Sequence, residues 1–458
     1  MKIAAAPAPV VVCDCSHFPE LSRDQDAWLR RLVLQCRPAD LLLGLTARAA
    51  DGPIDDEPIA SFDAASGTWW ASRYVGEVEF EGSTLRIEPR FGMSSLMRWL
   101  GTIWGIRFLE MSGRLQQQRL WLWLVIAHLW TNQLTMAAKH GLPSRRVATV
   151  HMGRALRGRL LPRETALARR GGDDRLISET RTRQVDADIG RILLGAHGRL
   201  MSALRMIGTA WLPDRAHTLV SELQHALGSQ QSKTVATACD IIRYTPITES
   251  YRSVVDLSMA ILARRPPGAN TTGAGKSFGV LLDMAEIWEL YVAKVLQSGL
   301  PSLTVEHTGR THTHQYWLLG NNIDSAVEGS LRPDIVITDH RKHCIAIVDA
   351  KYKTTRLNEY NRNGIHADDL YQITAYLSAF GNDAGRLDGF LVYPDDELGK
   401  VARHLAPRNA WHLTAAPTRR LWFVSAEVGR QADQTALTAS ELRLSATVQA
   451  ALAAGRYA

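Results

Sequence analysis

Residues 331–337 read LRPDIVI, and residues 345–351 read IAIVDAK. Both are short apolar runs, and the polar residues between them are typical of a hairpin turn, so the sequence predicts two paired strands. A turn midway between the runs leaves Asp334 and Asp349 roughly seven or eight residues from it, so both carboxylates come to the same end of the pair. Lys351 lies two residues beyond Asp349 and faces the same side of the strand.

Two carboxylates and an amine at one point suit phosphodiester hydrolysis. Mg²⁺ takes oxygen ligands and keeps several waters, so Asp334 and Asp349 are enough to hold it against a phosphate. The cation activates water, while the ammonium of Lys351 stabilises developing negative charge. The pattern predicts a nuclease that uses Mg²⁺ or Mn²⁺. The alternative is a pair of solvated strand ends joined by a surface ion pair.

A helical pattern precedes the two strands. Residues 278–296 carry apolar side chains at helical spacing. The same pattern puts Glu286 and Glu289 three residues apart on one face of the predicted helix. An acid from this helix could join the two aspartates.

A second amphipathic helix is predicted after the strands, over residues 369–377. Its apolar stripe leaves Gln372 and Tyr376 one turn apart on an adjacent face. These side chains could serve the site, or Gln372 could be a surface residue and Tyr376 an aromatic at the rim of the core.

The order of helix, hairpin with Asp and Asp-x-Lys, and helix with Gln-x-x-x-Tyr resembles the PD-(D/E)xK nuclease superfamily, in particular its RecB-type branch. The sequence is similar to the McrC family, the nuclease subunit of McrBC-type modification-dependent restriction systems. Five segments carry this likeness: RPDIV at 332–336, VDAKYK at 348–353, DLYQ at 369–372, IEPRFGM at 87–93 and LRGRL at 156–160.

The resemblance implies an α/β multidomain protein with a C-terminal restriction-endonuclease-like domain, in which helices flank a mixed central sheet. It assigns the metal ligands to Asp334 and Asp349, with Gln372 as an accessory residue. The full implied catalytic set is Asp334, Asp349, Lys351, Gln372 and Glu289. Glu286 is a rival of Glu289 for the acid on the preceding helix.

The resemblance also implies partners. An McrC-type endonuclease cleaves double-stranded DNA together with a hexameric AAA+ motor of the McrB kind, a GTPase or ATPase whose hydrolysis it stimulates. Because family members insert an N-terminal region into the motor, the N-terminal domain is the expected contact. Its aromatic residues Trp69, Trp70, Tyr74 and Phe91 could anchor that interface or form the domain core. Two other functions remain open: a non-cleaving regulator or DNA-loading adaptor of a motor, and a stand-alone RecB-like exonuclease.

Positive charge is concentrated in the middle of the chain. The 458 residues carry a formal net charge of +7, and residues 145–175 contain nine arginines against three acids. Arginine binds phosphates in a bidentate manner without reading sequence, so Arg154, Arg157 and Arg159 are predicted to contact the DNA backbone. A solvated face or a protein interface would produce the same cluster.

The sequence divides into a β-rich N-terminal domain at 1–115, a helical, Arg-rich region at 116–263, a linker at 264–277 and the nuclease domain at 278–458. The linker contains GAGKS at 273–277, which resembles the end of a phosphate-binding loop. Since the first glycine of such a loop is missing, no nucleotide site is expected.

Five cysteines without matched spacing favour a reducing compartment. The run CDCSH at 13–17 lacks a second pair of ligands, so ordinary thiols are expected there rather than zinc. No apolar run is long enough to cross a bilayer, which predicts a cytoplasmic protein.

Overall fold

The structure is a computed structural model. It describes residues 8–38, 57–105, 120–228, 242, 244–263, 278–308, 316–321, 327–353, 365–380, 385–395, 410–429 and 434–454. The chain divides into two compact units: Met1–Met111 together with Gly273–Ala458, and Ser112–Thr272. The predicted linker at 264–277, with its GAGKS run, lies outside the described residues. In the part of the chain that is described, no helix is long and apolar enough to span a membrane.

The N-terminal part of the first unit is rich in strands, as predicted. Its elements are β1 (Val10–Cys13), α1 (Arg23–Gln35), β2 (Ala60–Asp63), β3 (Thr68–Ala71), β4 (Tyr74–Phe80), β5 (Ser83–Glu88) and α2 (Gly92–Trp104). Helix α1 begins where Ser22 and Gln25 form a capping box, which satisfies two backbone N–H groups of its first turn. Strands β4 and β5 are joined at Glu81 and Gly82, both with positive φ, which is typical of a tight hairpin turn.

The second unit contains the elements α3 (Leu120–Ala137), β6 (Ser144–Gly153), β7 (Arg159–Leu160), α4 (Pro162–Arg170), β8 (Leu176–Val185), α5 (Ala187–Ala203), α6 (Asp214–Leu227) and α7 (Arg252–Ala263). The prediction of helix is correct for five of these segments. It is wrong for β6, β7 and β8, which form an antiparallel sheet in the order β6-β8-β7. Most residues of this sheet are exposed or half-buried, so the alternation of apolar and polar residues that marks a half-buried strand is weak.

The C-terminal part returns to the first unit. Its elements are β9 (Phe278–Asp283), α8 (Met284–Gly299), β10 (Thr304–His307), β11 (Tyr316–Gly320), β12 (Val327–Leu331), β13 (Ile335–Thr338), β14 (Cys344–Ala350), α9 (Ala367–Ala379), β15 (Leu387–Asp395), β16 (Trp411–Leu413), β17 (Ala416–Glu427) and α10 (Gln434–Ala453). The helix predicted from Phe278 therefore begins only at Met284. Asp283 caps it by accepting the backbone N–H groups of Ala285 and Glu286.

The residues before Met284 belong to a four-stranded sheet in the order β1-β5-β4-β9. Strand β9 pairs antiparallel with β4, so this sheet joins both ends of the first unit. The two strands approach closely at Gly76, which has φ of 147°, and a Cβ there would overlap the carbonyl of Val280. Trp69, Tyr74 and Phe91 are buried, while Trp70 is 39% exposed; three of the four candidate interface aromatics are therefore core residues.

A six-stranded mixed sheet carries the predicted hairpin. Its order is β10-β13-β14-β15-β17-β16. The pairing of Ile335 with Val348 confirms the hairpin, and the turn closes through two backbone hydrogen bonds between Asp339 and residues Lys342 and His343. Helix α9 is the crossover that lets β14 and β15 run parallel. Its buried face covers the sheet and leaves the start of β13 and the end of β14 side by side at one edge.

Candidate active site

Asp334 and Asp349 lie at that edge of the six-stranded sheet. Asp334 precedes β13, and its Oδ2 accepts the backbone N–H of Ala350 at 2.7 Å. Asp349 occupies the penultimate position of β14, one residue before that N–H group. The structure thus brings the two sequence-predicted aspartates together at the same point of the hairpin.

Asp349 is fully buried. Among the described residues, neither of its carboxylate oxygens accepts a hydrogen bond of normal geometry, although Nζ of Lys351 lies 2.7 Å from Oδ2. A buried carboxylate with so few donors is costly to the fold. Such a group indicates a ligand-binding role more readily than a structural one.

Lys351 is held by a chain of hydrogen bonds that begins on α9. Its Nζ donates to Oε1 of Gln372 at 2.6 Å, and Nε2 of Gln372 donates to the Tyr376 hydroxyl at 2.7 Å. That hydroxyl donates to the backbone carbonyl of Arg332 at 2.8 Å. Gln372 and Tyr376 therefore act as a unit that fixes the ammonium and ties α9 to the segment leading into Asp334.

The charges at the site are unbalanced towards the negative. Burial raises the pKa of Asp334 well above its ordinary value, and the neighbouring carboxylates of Glu289 and Asp349 add to this effect. Burial alone would lower the pKa of Lys351, but the carboxylates of Asp349 and Asp334 outweigh it and raise that pKa. Three carboxylates thus face one ammonium, and a positively charged ligand would relieve their repulsion.

Helix α8 contributes Glu289, whose charge acts on Asp334. Its Oε2 lies 3.6 Å from Nε2 of His307, a residue at the end of β10 whose side chain is 9% exposed. No local pattern in the sequence marks His307, because strands β11 and β12 lie between β10 and the hairpin of β13 and β14. Glu286 stands in the first turn of α8; the electrostatic contact with Asp334 favours Glu289 over Glu286 as the helix acid.

A further acid, which lies on α9, is also close to the site. Asp369 is buried and accepts hydrogen bonds from Nζ of Lys353 at 2.8 Å and from the hydroxyl of Tyr393 at 3.2 Å. Its charge contributes to the raised pKa of Lys351. Sequence reasoning passed over Asp369 and Lys353, although both fall within the family-like segments DLYQ and VDAKYK.

The donors at this edge suit a hard divalent cation with few protein ligands. Among the described residues, no group of three or more His, Cys, Asp or Glu side chains could hold a metal ion. Asp334 and Asp349 supply carboxylate oxygens, and the oxygens of Asp349 have unused capacity. Mg²⁺ is commonly bound by one or two carboxylates, with water and substrate phosphate completing its shell, so these residues fit it.

The three arginines predicted to contact DNA lie in the second unit. Arg154 and Arg157 fall between β6 and β7, Arg159 begins β7, and all three are exposed. The backbone N–H of Arg157 donates to Oγ of Ser178, which fixes the loop while its guanidinium remains accessible. Their role in DNA binding stays a prediction.

Residues 70–394 match the model of a family described as McrBC 5-methylcytosine restriction system component. No curated protein matches the chain. Among solved structures, it resembles a chain of the refined half-complex from a tetradecameric assembly of Thermococcus gammatolerans McrB AAA+ hexamers with bound McrC. The identity is 15%, the TM-score 0.53, and the match covers 96% of this chain and 100% of that chain. A chain of the cryo-EM structure of the Thermococcus gammatolerans McrBC complex matches at 17% identity and a TM-score of 0.35, over 64% of this chain and 88% of that chain. The first likeness concerns the fold, and the second is too low to support an inference.

Proposed function

The chain belongs to the family of McrBC 5-methylcytosine restriction system components, and we propose that it is the Mg²⁺-dependent DNA endonuclease subunit of such a system. Its C-terminal part is then a PD-(D/E)xK nuclease domain. The observation that carries the proposal is the meeting of Asp334, Asp349 and Lys351 at one sheet edge, with Gln372 bound to the lysine. All four residues fall inside the segment matched by the family model.

Asp334 and Asp349 would hold the metal ion. Within the described part of the chain, neither buried oxygen of Asp349 accepts a hydrogen bond of normal geometry. Burial and the neighbouring acids raise the pKa of Asp334, and both features favour a cation at this point. When bound, Mg²⁺ supplies Lewis-acid activation of water and neutralises charge on the phosphate. Glu289 is the third acid within electrostatic reach and extends the negative surface on the side of α8.

Lys351 contributes a fixed positive charge. Since its pKa is raised, the side chain is protonated at neutral pH and acts by stabilising negative charge on the scissile phosphate rather than by removing a proton. Gln372 and Tyr376 hold the ammonium in place through the hydrogen bonds that end at the Arg332 carbonyl. Positioning of this kind is a main source of rate enhancement in phosphoryl transfer.

The proposed partners are double-stranded DNA and a hexameric AAA+ GTPase or ATPase of the McrB kind. The solved structure that shares this fold contains McrB hexamers with bound McrC, and this supports the motor partner. The exposed Arg154, Arg157 and Arg159 are the proposed phosphate contacts, because guanidinium groups bind the backbone without selecting sequence.

The test is cleavage of plasmid and phage DNA by the full chain, with and without Mg²⁺, its candidate AAA+ partner and nucleoside triphosphate. Asp349→Asn should abolish cutting. Asp388→Asn is the matched control: Asp388 is a buried aspartate of the same sheet, on β15, with its own ion pairs to Arg386 and Arg420. Asp388 pairs with Ala346, which precedes Asp349 by three residues and therefore lies about 10 Å from it along β14, at about 3.3 Å per residue.

Cleavage that requires Mg²⁺ and survives Asp388→Asn but not Asp349→Asn would support the proposed nuclease. Stimulation of the motor's nucleotide hydrolysis without any cutting that depends on Asp349 would instead identify a regulator. Cutting that needs no motor would favour an autonomous nuclease.

A further inference from the structure

We propose that Asp14 and Arg90 are positioning residues of the nuclease site, which act by fixing Tyr352, the residue after Lys351. The inference rests on the proposed nuclease function and assigns a role to two segments that the function alone leaves unexplained. Arg90 belongs to the family-like run IEPRFGM at 87–93, and Asp14 to the run CDCSH at 13–17.

The contacts form a closed clamp around Tyr352. The hydroxyl of Tyr352 donates to Oδ2 of Asp14 at 2.8 Å, in a buried position. Nη2 of Arg90 donates to the backbone carbonyl of Tyr352 at 3.2 Å, and the backbone N–H of Arg90 donates to Oδ1 of Asp14 at 2.6 Å. Both the side chain and the main chain of Tyr352 are therefore held by the N-terminal segment.

Aromatic contacts reinforce these hydrogen bonds. The guanidinium carbon of Arg90 lies 4.4 Å from the ring centroid of Tyr352 and 4.6 Å from that of Phe91. The rings of Phe91 and Tyr352 meet edge to face at 5.7 Å. Cation–π and edge-to-face geometry restrict rotation of the Tyr352 ring, so the clamp fixes the orientation of this residue as well as its position.

Tyr352 directly follows Lys351 in the chain, so the clamp also restrains the lysine. Successive side chains of an extended segment point to opposite sides, so Lys351 faces the aspartates while Tyr352 faces the N-terminal sheet. The backbone N–H of Lys351 donates to the carbonyl of Val392 at 2.9 Å. The lysine is thus held by β15 on one side and by the clamp at the next residue.

Asp14 itself is an unusual structural residue. It is fully buried, and burial raises its pKa to about 6 even though Arg90 and the Tyr352 hydroxyl act to lower it. A buried carboxylate of this kind weakens the fold unless every partner is in place. An apolar side chain would fill the same space more favourably, whereas the two oxygens of Asp14 accept from the Arg90 N–H and the Tyr352 hydroxyl at once.

The same N-terminal segment also contacts the helix that carries Glu289. Trp99 on α2 packs against Trp288 with ring centroids 5.1 Å apart and lies 6.2 Å from the ring of Tyr352. Trp288 directly precedes Glu289, and its Nε1 donates to the Val392 carbonyl at 3.3 Å. The N-terminal part of the first unit therefore supports the site at two points, behind Lys351 and behind Glu289.

Tyr352→Phe tests the clamp with the least disturbance, because it removes one hydroxyl and no carbon atom. The matched control is Tyr251→Phe in the second unit, where a buried tyrosine hydroxyl donates to the Gly141 carbonyl at the same distance of 2.8 Å. Arg90→Lys is the second variant: it keeps the charge but loses the planar fork that reaches the Tyr352 carbonyl. Each protein is measured for thermal midpoint, for kcat and KM of Mg²⁺-dependent cleavage in the presence of the motor, and for the rate at which an amine-reactive ester acylates Lys351.

Tyr352→Phe and Arg90→Lys should lower kcat by about 10- to 100-fold, the cost of a small displacement of a catalytic group, with KM within about twofold of wild type. The acylation rate of Lys351 should rise by about twofold or more, because a lysine that is held less firmly against Gln372 opens to the reagent more often. Tyr251→Phe should leave kcat and the acylation rate of Lys351 unchanged, while its thermal midpoint changes by about as much as that of Tyr352→Phe.

Cleavage by wild type and unchanged kcat in both clamp variants would overturn the positioning role and leave the proposed nuclease intact. If the wild type does not cut DNA, the proposed function fails. The acylation rate then still tests whether the clamp positions Lys351: a raised rate in Tyr352→Phe supports that positioning, and an unaltered rate refutes it.

Discussion

Asp334→Asn should abolish the stabilisation of this protein by Mg²⁺. The substitution removes one negative charge from the point where three carboxylates face one ammonium. It keeps the hydrogen bond from the Ala350 N–H at 2.7 Å, because the asparagine Oδ1 also accepts. The change is therefore electrostatic, with little loss of packing or backbone structure.

The magnitude follows from linkage. With a dissociation constant of about 1 mM, Mg²⁺ at about 10 mM stabilises the folded wild type by about 1.4 kcal/mol. For a unit of this size that is a rise of about 2 °C in the thermal midpoint. In the absence of metal, the free energy of unfolding of Asp334→Asn should equal that of the wild type or exceed it by about 0.5 to 2 kcal/mol, since functional sites often contain such unfavourable interactions.

Thermal unfolding followed by circular dichroism, in EDTA and in Mg²⁺, provides the measurement. Asp388→Asn is again the control, and it should keep the full response to Mg²⁺ because its carboxylate pairs with Arg386 and Arg420 away from the site. A wild-type response to Mg²⁺ in Asp334→Asn would refute the assignment of the metal to this pair of aspartates.

Three further outcomes are expected. Lys351→Met should lower cleavage by about 10²- to 10³-fold and Gln372→Ala by about tenfold, measured as kcat on plasmid DNA, because the first removes the charge and the second only its anchor. Burial raises the pKa of Asp14 from 3.8 to about 6, so protonation of Asp14 stabilises the fold at low pH, and this stabilisation is lost as the pH rises through 6. In urea unfolding, the free energy of unfolding of the wild type should fall by about 2 to 3 kcal/mol relative to that of Asp14→Asn between about pH 4 and pH 7. Gly76→Ala should destabilise the protein by about 2 to 4 kcal/mol in the same unfolding assay, because the added Cβ overlaps the Val280 carbonyl.

The central hairpin could be predicted because its signals are local. Two apolar runs and a polar turn lie within 21 residues of sequence, and the positions of Asp334, Asp349 and Lys351 are defined by their distance from that turn. The pairing of Ile335 with Val348 follows directly from this pattern. The resemblance to the McrC family, which uses the same residues, is confirmed by the family model.

The segment at 278–283 was ambiguous for a physical reason. FGVLLD is a short apolar run, and such a run fits a buried strand as well as the first turns of a helix. The deciding partner is β4, whose pairing with β9 spans about 200 positions of sequence. Asp283 was the one local signal, because aspartate is a preferred cap at the start of a helix.

The residues that hold Lys351 in place are even harder to recognise in the sequence. Asp14 and Tyr352 are separated by 338 positions, and the run around Asp14 drew attention only for its cysteines. Contacts between distant segments have no spacing rule of the kind that defines helix faces and hairpins. The sequence could therefore nominate Lys351 but could not show what holds it.

The site is consequently a property of the whole first unit and not of the C-terminal segment alone. Asp334, Asp349, Lys351 and Gln372 come from a stretch of 39 residues, yet β9 obtains its hydrogen bonds from β4 and Tyr352 obtains its partners from Asp14 and Arg90. A site with more carboxylates than cations is held together by its surroundings, because its own charges repel. In this protein the N-terminal sheet provides that support, so any partner that displaces the sheet would act on the position of Lys351.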